Sequence, residues 1–390
     1  MSRFYLILIL IFTAFIRLWR LEVPAKYIFD EVYHVVSVKA YAENNPAGYE
    51  WWRPAPEPNT AYEWLHPPLA KLIQAGSVKI LGDNSFTWRL PSAVFGVLSV
   101  AAVYFLAITL FKSQPIALTA ALLLSLENLQ LTMSRITMND VFVTTFIVLA
   151  LAFFYKKSWY LTGLFTGLAL ATKHSSIFLY PIFIFWFLYS RPRDLLKAVY
   201  CLTIIPASIY FLSYLQFFVQ GHTLLDWWHL HQQIWWYQTG LDATHSYQST
   251  ALSWPLLVRP VWFFVDNVSD GIIANIYNLG NPLIFWGGAA AVAYTLWQRR
   301  FTKPVIFLLI SYFLLFLPLA KAPRILFLHH YLPALPFLCV ILAKTLHQLK
   351  LSTKYLILTA IIFFFFYPIN TAIPLPSEWL KYWFWLPSWK

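Results

Sequence analysis

Long uninterrupted apolar runs set the pattern of this chain. Residues 141–154 and 305–319 contain no charged side chain at all. A transmembrane barrel would show short segments that alternate apolar and polar positions. Continuous runs instead predict helices, which satisfy every backbone hydrogen bond within the segment. About eleven runs have the length of a bilayer-crossing helix, roughly 16–25 residues. They lie at 4–20, 87–111, 115–131, 138–155, 159–173, 175–190, 195–215, 281–298, 303–320, 330–347 and 353–372. With no internal repeat and no low-complexity linker, the expectation is an all-α polytopic membrane protein formed as a single domain over 1–390.

Composition strengthens this reading. The chain is 59% hydrophobic and only 11% charged, where soluble domains are about a quarter charged. The formal charge of +12 would suit nucleic acid, but its distribution points to topology. Lys112, Lys156, Lys157, Arg191, Arg193, Arg299, Arg300, Lys303, Lys350 and Lys354 all fall in short loops on one side of the predicted bundle, with Asp194 the only acid among them. That is the positive-inside pattern, with the N-terminus cytoplasmic. The first apolar run leads directly into Arg17 and Arg20 without a small-residue cleavage site, so it reads as an uncleaved first span. The Trp- and Tyr-rich tail, 374–390, is then external and expected as a helix in the membrane interface. Cys201 and Cys339 sit inside apolar runs and read as small core residues. These features describe a multi-pass protein of the cell membrane that binds no nucleic acid.

Two long segments remain, 22–86 and 216–280, both on the outer side. Long connections of this kind tend to carry function. Trp51-Trp52, Trp227-Trp228 and Trp235-Trp236 are expected to dip into the interface. His66-Pro67-Pro68-Leu69-Ala70-Lys71 has proline where a first helical turn tolerates it, and an amphipathic stretch follows to Leu81.

Candidate chemistry concentrates on that outer side. Only 16 residues of the chain are acidic, so the adjacent Asp30 and Glu31 stand out. Solvated loop charges are the plain alternative. Their chemical use is as a general base that takes a proton from an acceptor hydroxyl. Adjacent residues in a regular element do not face one point, so one would act and the other orient a partner. Arg89, Arg135, Lys173 and Arg324 lie at the outer ends of different spans, against the positive-inside tendency. Singly, each reads as a side chain snorkelling to lipid headgroups; as a set they suit an anionic phosphate. Asp140 is placed for an ion pair with one of them or for a direct role. Histidines cluster outside, but neither HExxH nor paired CxxC spacing is present, so no metal site is assigned, and a bound divalent cation stays open. No Walker A or dinucleotide fingerprint occurs, which disfavours ATP-driven transport and nicotinamide chemistry.

At these residues the chain resembles the protein O-mannosyltransferase family of GT-C membrane glycosyltransferases. The resemblance runs through Phe29-Asp30-Glu31-Val32-Tyr33-His34, His66 to Lys71, Arg89-Leu90-Pro91-Ser92, Ser134-Arg135 to Asp140, and Thr172-Lys173. It continues through His245-Ser246-Tyr247-Gln248-Ser249, Trp254-Pro255, Arg259-Pro260-Val261, and Arg324 with His330-Tyr331-Leu332-Pro333. The resemblance implies a GT-C-like fold of about eleven spans with an outer active site. It also implies a polyprenyl- or dolichyl-phosphate mannose donor and a Ser or Thr hydroxyl acceptor on a protein. Asp30 would be the base, with Glu31 and Arg89 important beside it. Arg89, Arg135, Lys173 and Arg324 would hold the donor phosphate. His66, Asp140, Tyr247, Arg259, His330 and Tyr331 would contact substrate. No cofactor is required, because the phospholipid bond supplies the energy.

The second outer segment lacks the large soluble domain of the eukaryotic enzymes, which suggests a bacterial or archaeal type and leaves protein and lipid acceptors both open. The alternatives are a lipid-directed transferase resembling the aminoarabinose transferases, or a lipid-linked sugar flippase or secondary transporter. Transport predicts ionisable groups near the middle of spans, whereas here they gather mainly at span ends and in the outer loops.

Overall fold

The computed structural model describes residues 2–190, 194–240 and 243–390; Arg191 and Arg193 of the basic loops lie outside them. Each predicted apolar run contains a helix: Ser2–Leu18, Ser85–Phe111, Gln114–Ser125, Asp140–Tyr155, Trp159–Leu170, Leu179–Ser190, Leu195–Ser213, Pro282–Gln298, Lys303–Leu314, Leu335–Gln348 and Ser352–Asn370. Four helical stretches, Ser85–Phe111, Leu195–Ser213, Lys303–Lys321 and Ser352–Asn370, are long and apolar enough to cross a bilayer by themselves. Several others are shorter because polar groups interrupt them. The run expected at 115–131 breaks after Ser125. There the buried Glu127 carboxylate accepts from the backbone N–H of Gln130 (2.6 Å) and of Asn281 (2.8 Å), and opens a separate turn, Asn128–Met133. Local side-chain acceptors of this kind compete with the helical ladder.

The helix Asp140–Tyr155 packs between Ser85–Phe111 and Trp159–Leu170 and is buried on almost every side. Its first residue, Asp140, is therefore held inside the protein. The next pair, Trp159–Leu170 against Leu195–Ser213, approaches through two glycines. A Cβ on Gly163 would lie 2.2 Å from the Cys201 carbonyl oxygen, and one on Gly167 would lie 3.0 Å from the Pro206 Cα. Small residues four apart permit this close backbone approach between helices in lipid. The pair matters for chemistry because Lys173 and His174 follow directly on its first helix.

The two long connecting segments, 22–86 and 216–280, contain short helices, Glu31–Ala42, Leu69–Leu81 and Leu224–Gly240, and the expected start of the second falls at Pro68. The expectation of a purely helical chain needs correction here. Strands β1 (Val261–Ser269) and β2 (Ile272–Asn278) form an antiparallel hairpin, and β3 (Leu375–Pro376) adds to β2. Asp270-Gly271, with Gly271 at φ +70°, makes the turn between two runs rich in β-branched and aromatic residues. The tail is likewise no interfacial α-helix. Pro376 and Pro387 interrupt it, and it forms β3 and short 3-10 turns instead. A bulge between Trp262 and Phe264 leaves Phe263 unpaired in the ladder. The Phe263 ring then stacks on Phe29, centroids 4.2 Å apart and planes 12° apart.

Gly163→Ala is expected to lower the stability of the detergent-solubilised protein by about 1–3 kcal/mol through overpacking. Gly76→Ala, where an added Cβ meets nothing within 4 Å, serves as the control. Equal unfolding temperatures for both variants would contradict the close-approach role of Gly163.

Candidate active site

The acidic pair divides into two environments. Glu31 is fully buried, and its carboxylate is bound on both oxygens by Arg89: Nε to Oε1 at 2.9 Å and Nη2 to Oε2 at 2.8 Å. Glu31 also accepts from the backbone N–H of Ile28 (2.9 Å) and of Thr137 (2.9 Å). The remaining Arg89 donors go to the carbonyls of Leu21, Pro24 and Lys26. A guanidinium has five N–H donors, and all of them are engaged. This cluster ties the first long segment, the start of helix Ser85–Phe111 and the turn before Asp140 into one unit.

Asp30 is turned the other way. Phe29 sits in the left-handed region at φ 49°, a conformation that costs a bulky residue free energy unless its surroundings hold it. Stacking on Phe263 and edge contacts to Phe327 and His329 do so. The sharp turn leaves Asp30 just before helix Glu31–Ala42. Its carbonyl accepts from Tyr33 and His34 N–H, while its carboxylate caps nothing and has no hydrogen-bond partner among the described residues. Burial, with the Asp140 carboxylate adding to it, pushes the Asp30 carboxyl up to about 7, against the opposing pull of Lys173 and Arg324. Desolvation and a neighbouring like charge both disfavour the anion.

Lys173 Nζ pairs with Asp140 Oδ1 at 2.7 Å, both nearly buried. Lys173 and Arg324 line one cavity of about 840 Å³, together with His66, His174, His231 and His330. Arg324 has no carboxylate partner among the described residues. An adjoining apolar cavity of about 710 Å³ shares Leu170, His174 and Ile177 with it.

Other expected site residues fall elsewhere. Arg135, like Arg89, is anchored to backbone carbonyls. Its guanidinium binds the carbonyls of Ile16, Arg17, Trp19 and Arg20 at the end of the first helix. Tyr331 is wholly buried among core residues, its hydroxyl 2.8 Å from that of Tyr312. Arg259 lies over the Tyr247 ring at 4.9 Å and donates to the carbonyls of Ser246, Ser388 and Lys390, pinning the tail.

One carboxylate escaped sequence reasoning. Glu63 is buried, accepts from Lys71 Nζ, and lies 2.6 Å from His66 Nδ1. Burial would raise its carboxyl, but Lys71 and His66 outweigh this and hold it well below the usual range. The available signal was an acid three residues before His66 and eight before Lys71 in the His-Pro-Pro run.

The helical architecture is of the GT-C type. The donor-bound Pmt1–Pmt2 protein O-mannosyltransferase complex of Saccharomyces cerevisiae superimposes with a TM-score of 0.83 over 100% of this chain and 92% of that one, at 16% identity. Two family models match, one described as dolichyl-phosphate-mannose-protein mannosyltransferase over residues 65–216 and one as the C-terminal four-span region of protein O-mannosyltransferase over 223–389. The chain belongs to the protein O-mannosyltransferase family. Its relatives include the polyprenol-phosphate-mannose–protein mannosyltransferases of Corynebacterium glutamicum and Mycobacterium tuberculosis. The first is 24% identical over 84% of this chain and 81% of its own length; the second is 23% identical over 97% and 89%.

Arg89→Met leaves the buried Glu31 carboxylate uncompensated and is expected to cost about 3–5 kcal/mol of stability. Lys26→Ala, which breaks the exposed pair with Asp266, is expected to cost under about 1 kcal/mol. Denaturant titration of both variants compares them, and similar losses would contradict a structural role for the Glu31–Arg89 pair.

Proposed function

We propose that this protein transfers mannose from a polyprenyl-phosphate donor to a Ser or Thr hydroxyl of a protein, on the outer face of the cell membrane, within a bundle crossing the membrane about eleven times. The observation that carries the mechanism is the Asp30 carboxylate, unpartnered among the described residues and within electrostatic reach of Lys173 and Arg324 on the cavity wall. In this reading the donor phosphate sits between those two cations, with His66 and His330 beside it. The polyprenyl chain leaves along the adjoining apolar cavity. Asp30 accepts the acceptor's hydroxyl proton as the oxygen attacks the anomeric carbon, and the bond from that carbon to the phosphate oxygen breaks. Lys173 and Arg324 stabilise the charge that develops on the phosphate, and they act in a site shielded from water. Asp140 holds Lys173 in place. Glu31 and Arg89 position Asp30 through the backbone and do not touch substrate. A single displacement needs one base, so product is inverted at the anomeric carbon. The mycobacterial and corynebacterial relatives, named for protein acceptors, support a protein acceptor over a lipid one.

Because Asp30 must be ionised to act and its carboxyl is pushed up to about 7, kcat/KM for the acceptor at saturating donor is expected to fall about tenfold per pH unit below that value and to level off above it. The assay follows radiolabelled mannose from polyprenyl-phosphate mannose into protein. A flat profile from pH 5 to 8 would rule out Asp30 as the base, and label moving into lipid would select a lipid acceptor.

A further inference from the structure

The cavity holds a third group that can become cationic. His66 lines it beside Lys173 and Arg324, and its Nδ1 is 2.6 Å from the Glu63 carboxylate. Glu63 is itself fixed by Lys71 Nζ and by its own backbone N–H to Ser37 Oγ at 2.6 Å. An ionised carboxylate only accepts hydrogen bonds, so His66 carries its proton on Nδ1. The other ring nitrogen, Nε2, has no partner among the described residues.

The surroundings decide its charge. Facing His66 are Glu63 and Lys71 of its own segment, His34 of helix Glu31–Ala42 with its ring 6.3 Å away, Lys173 and His174 of the turn after Trp159–Leu170, His231 of helix Leu224–Gly240, and Arg324 and His330 across the cavity. Burial lowers the imidazole's affinity for a second proton, Glu63 opposes that, and Lys173 and Lys71 add to it. An anion placed between His66 and Lys173 reverses the balance.

We propose that Glu63 is a positioning residue that holds His66 Nδ1–H, so that Nε2 takes up a proton from solvent when the donor phosphate enters and becomes its third cationic hydrogen-bond donor. This rests on the donor reading above. Nothing beyond that proton changes hands in the binding step. The function of Glu63 is to present Nε2 and to stabilise the imidazolium, as a carboxylate does for a histidine that must gain charge.

The test is titration calorimetry of the full-length Asp30→Asn protein in detergent with polyprenyl-phosphate mannose, near neutral pH, in two buffers of different ionisation heat. Asp30→Asn removes the other carboxyl that would take up a proton, and the donor is a phosphodiester that does not titrate in this range. Uptake of about half a proton per donor is expected, with affinity falling about tenfold between pH 6 and 8. Adding Glu63→Gln or His66→Gln is expected to abolish the uptake and to flatten the pH dependence, with binding at pH 6 weaker by about tenfold. His66→Gln keeps the Glu63–Lys71 pair, so it carries the test if Glu63→Gln does not fold. Donor binding without proton uptake, or uptake unchanged in the folded variants, would overturn the proposal. No donor binding by the Asp30→Asn parent would instead overturn the donor reading itself, and this inference with it.

Discussion

The buried Glu31–Arg89 pair is the constraint on which the site depends. A carboxylate and a guanidinium removed from water are stable only when their hydrogen-bonding capacity is filled. Here the filling partners are backbone groups from two stretches of chain, residues 21–28 and the turn at Thr137, and Arg89 itself belongs to a third, helix Ser85–Phe111. Satisfying one ion pair therefore fixes the first long segment onto the helical bundle. Asp30 and Asp140 lie one and three residues from its anchor points, Glu31 and Thr137, and inherit their positions from it.

Against that fixed frame, Asp30 is held in an environment that resists its ionisation. Its carboxyl titrates near 7, well above the 3.8 of a free aspartate. The folded protein thus binds this proton more tightly than the unfolded chain. The associated stability is fully present below about pH 4 and is lost as pH rises through about 7. Ionised Asp30 is thus a destabilising element at working pH, and it follows directly on Phe29, which is in a left-handed conformation and clamped between Phe263 and the loop that carries Phe327 and His329. Strain and desolvation both sit at the carboxylate proposed as the base.

Much of this was legible in the sequence, for identifiable reasons. Continuous apolar runs announce helices regardless of tertiary detail, and the His66-Pro67-Pro68 helix start was visible because proline has few places to go. Arg89 and Arg135 show the limit. In sequence they are outer-face cations indistinguishable from Lys173 and Arg324. What separates them is that backbone carbonyls take up Arg89 and Arg135, whereas Lys173 and Arg324 line the cavity, and no residue type encodes that. Nor does the motif around Tyr331 signal that its ring is wholly buried. The hairpin at β1–β2 did carry a signal, Asp270-Gly271 between aromatic and β-branched runs. It was masked by the apolar character of the chain as a whole, in which strand and helix segments share the same residues. Glu63 lay in a segment read only for its helix start.

The central claim is that one carboxylate of the adjacent pair performs the chemistry and the other supports it. Single-turnover transfer from pre-bound polyprenyl-phosphate mannose, compared between wild type and Asp30→Asn, tests it most directly. A loss of about 10²–10⁴-fold in the transfer step is expected, the usual worth of a general base, with donor still bound and the protein still folded. Transfer within a few-fold of wild type by the folded, donor-bound variant would contradict it.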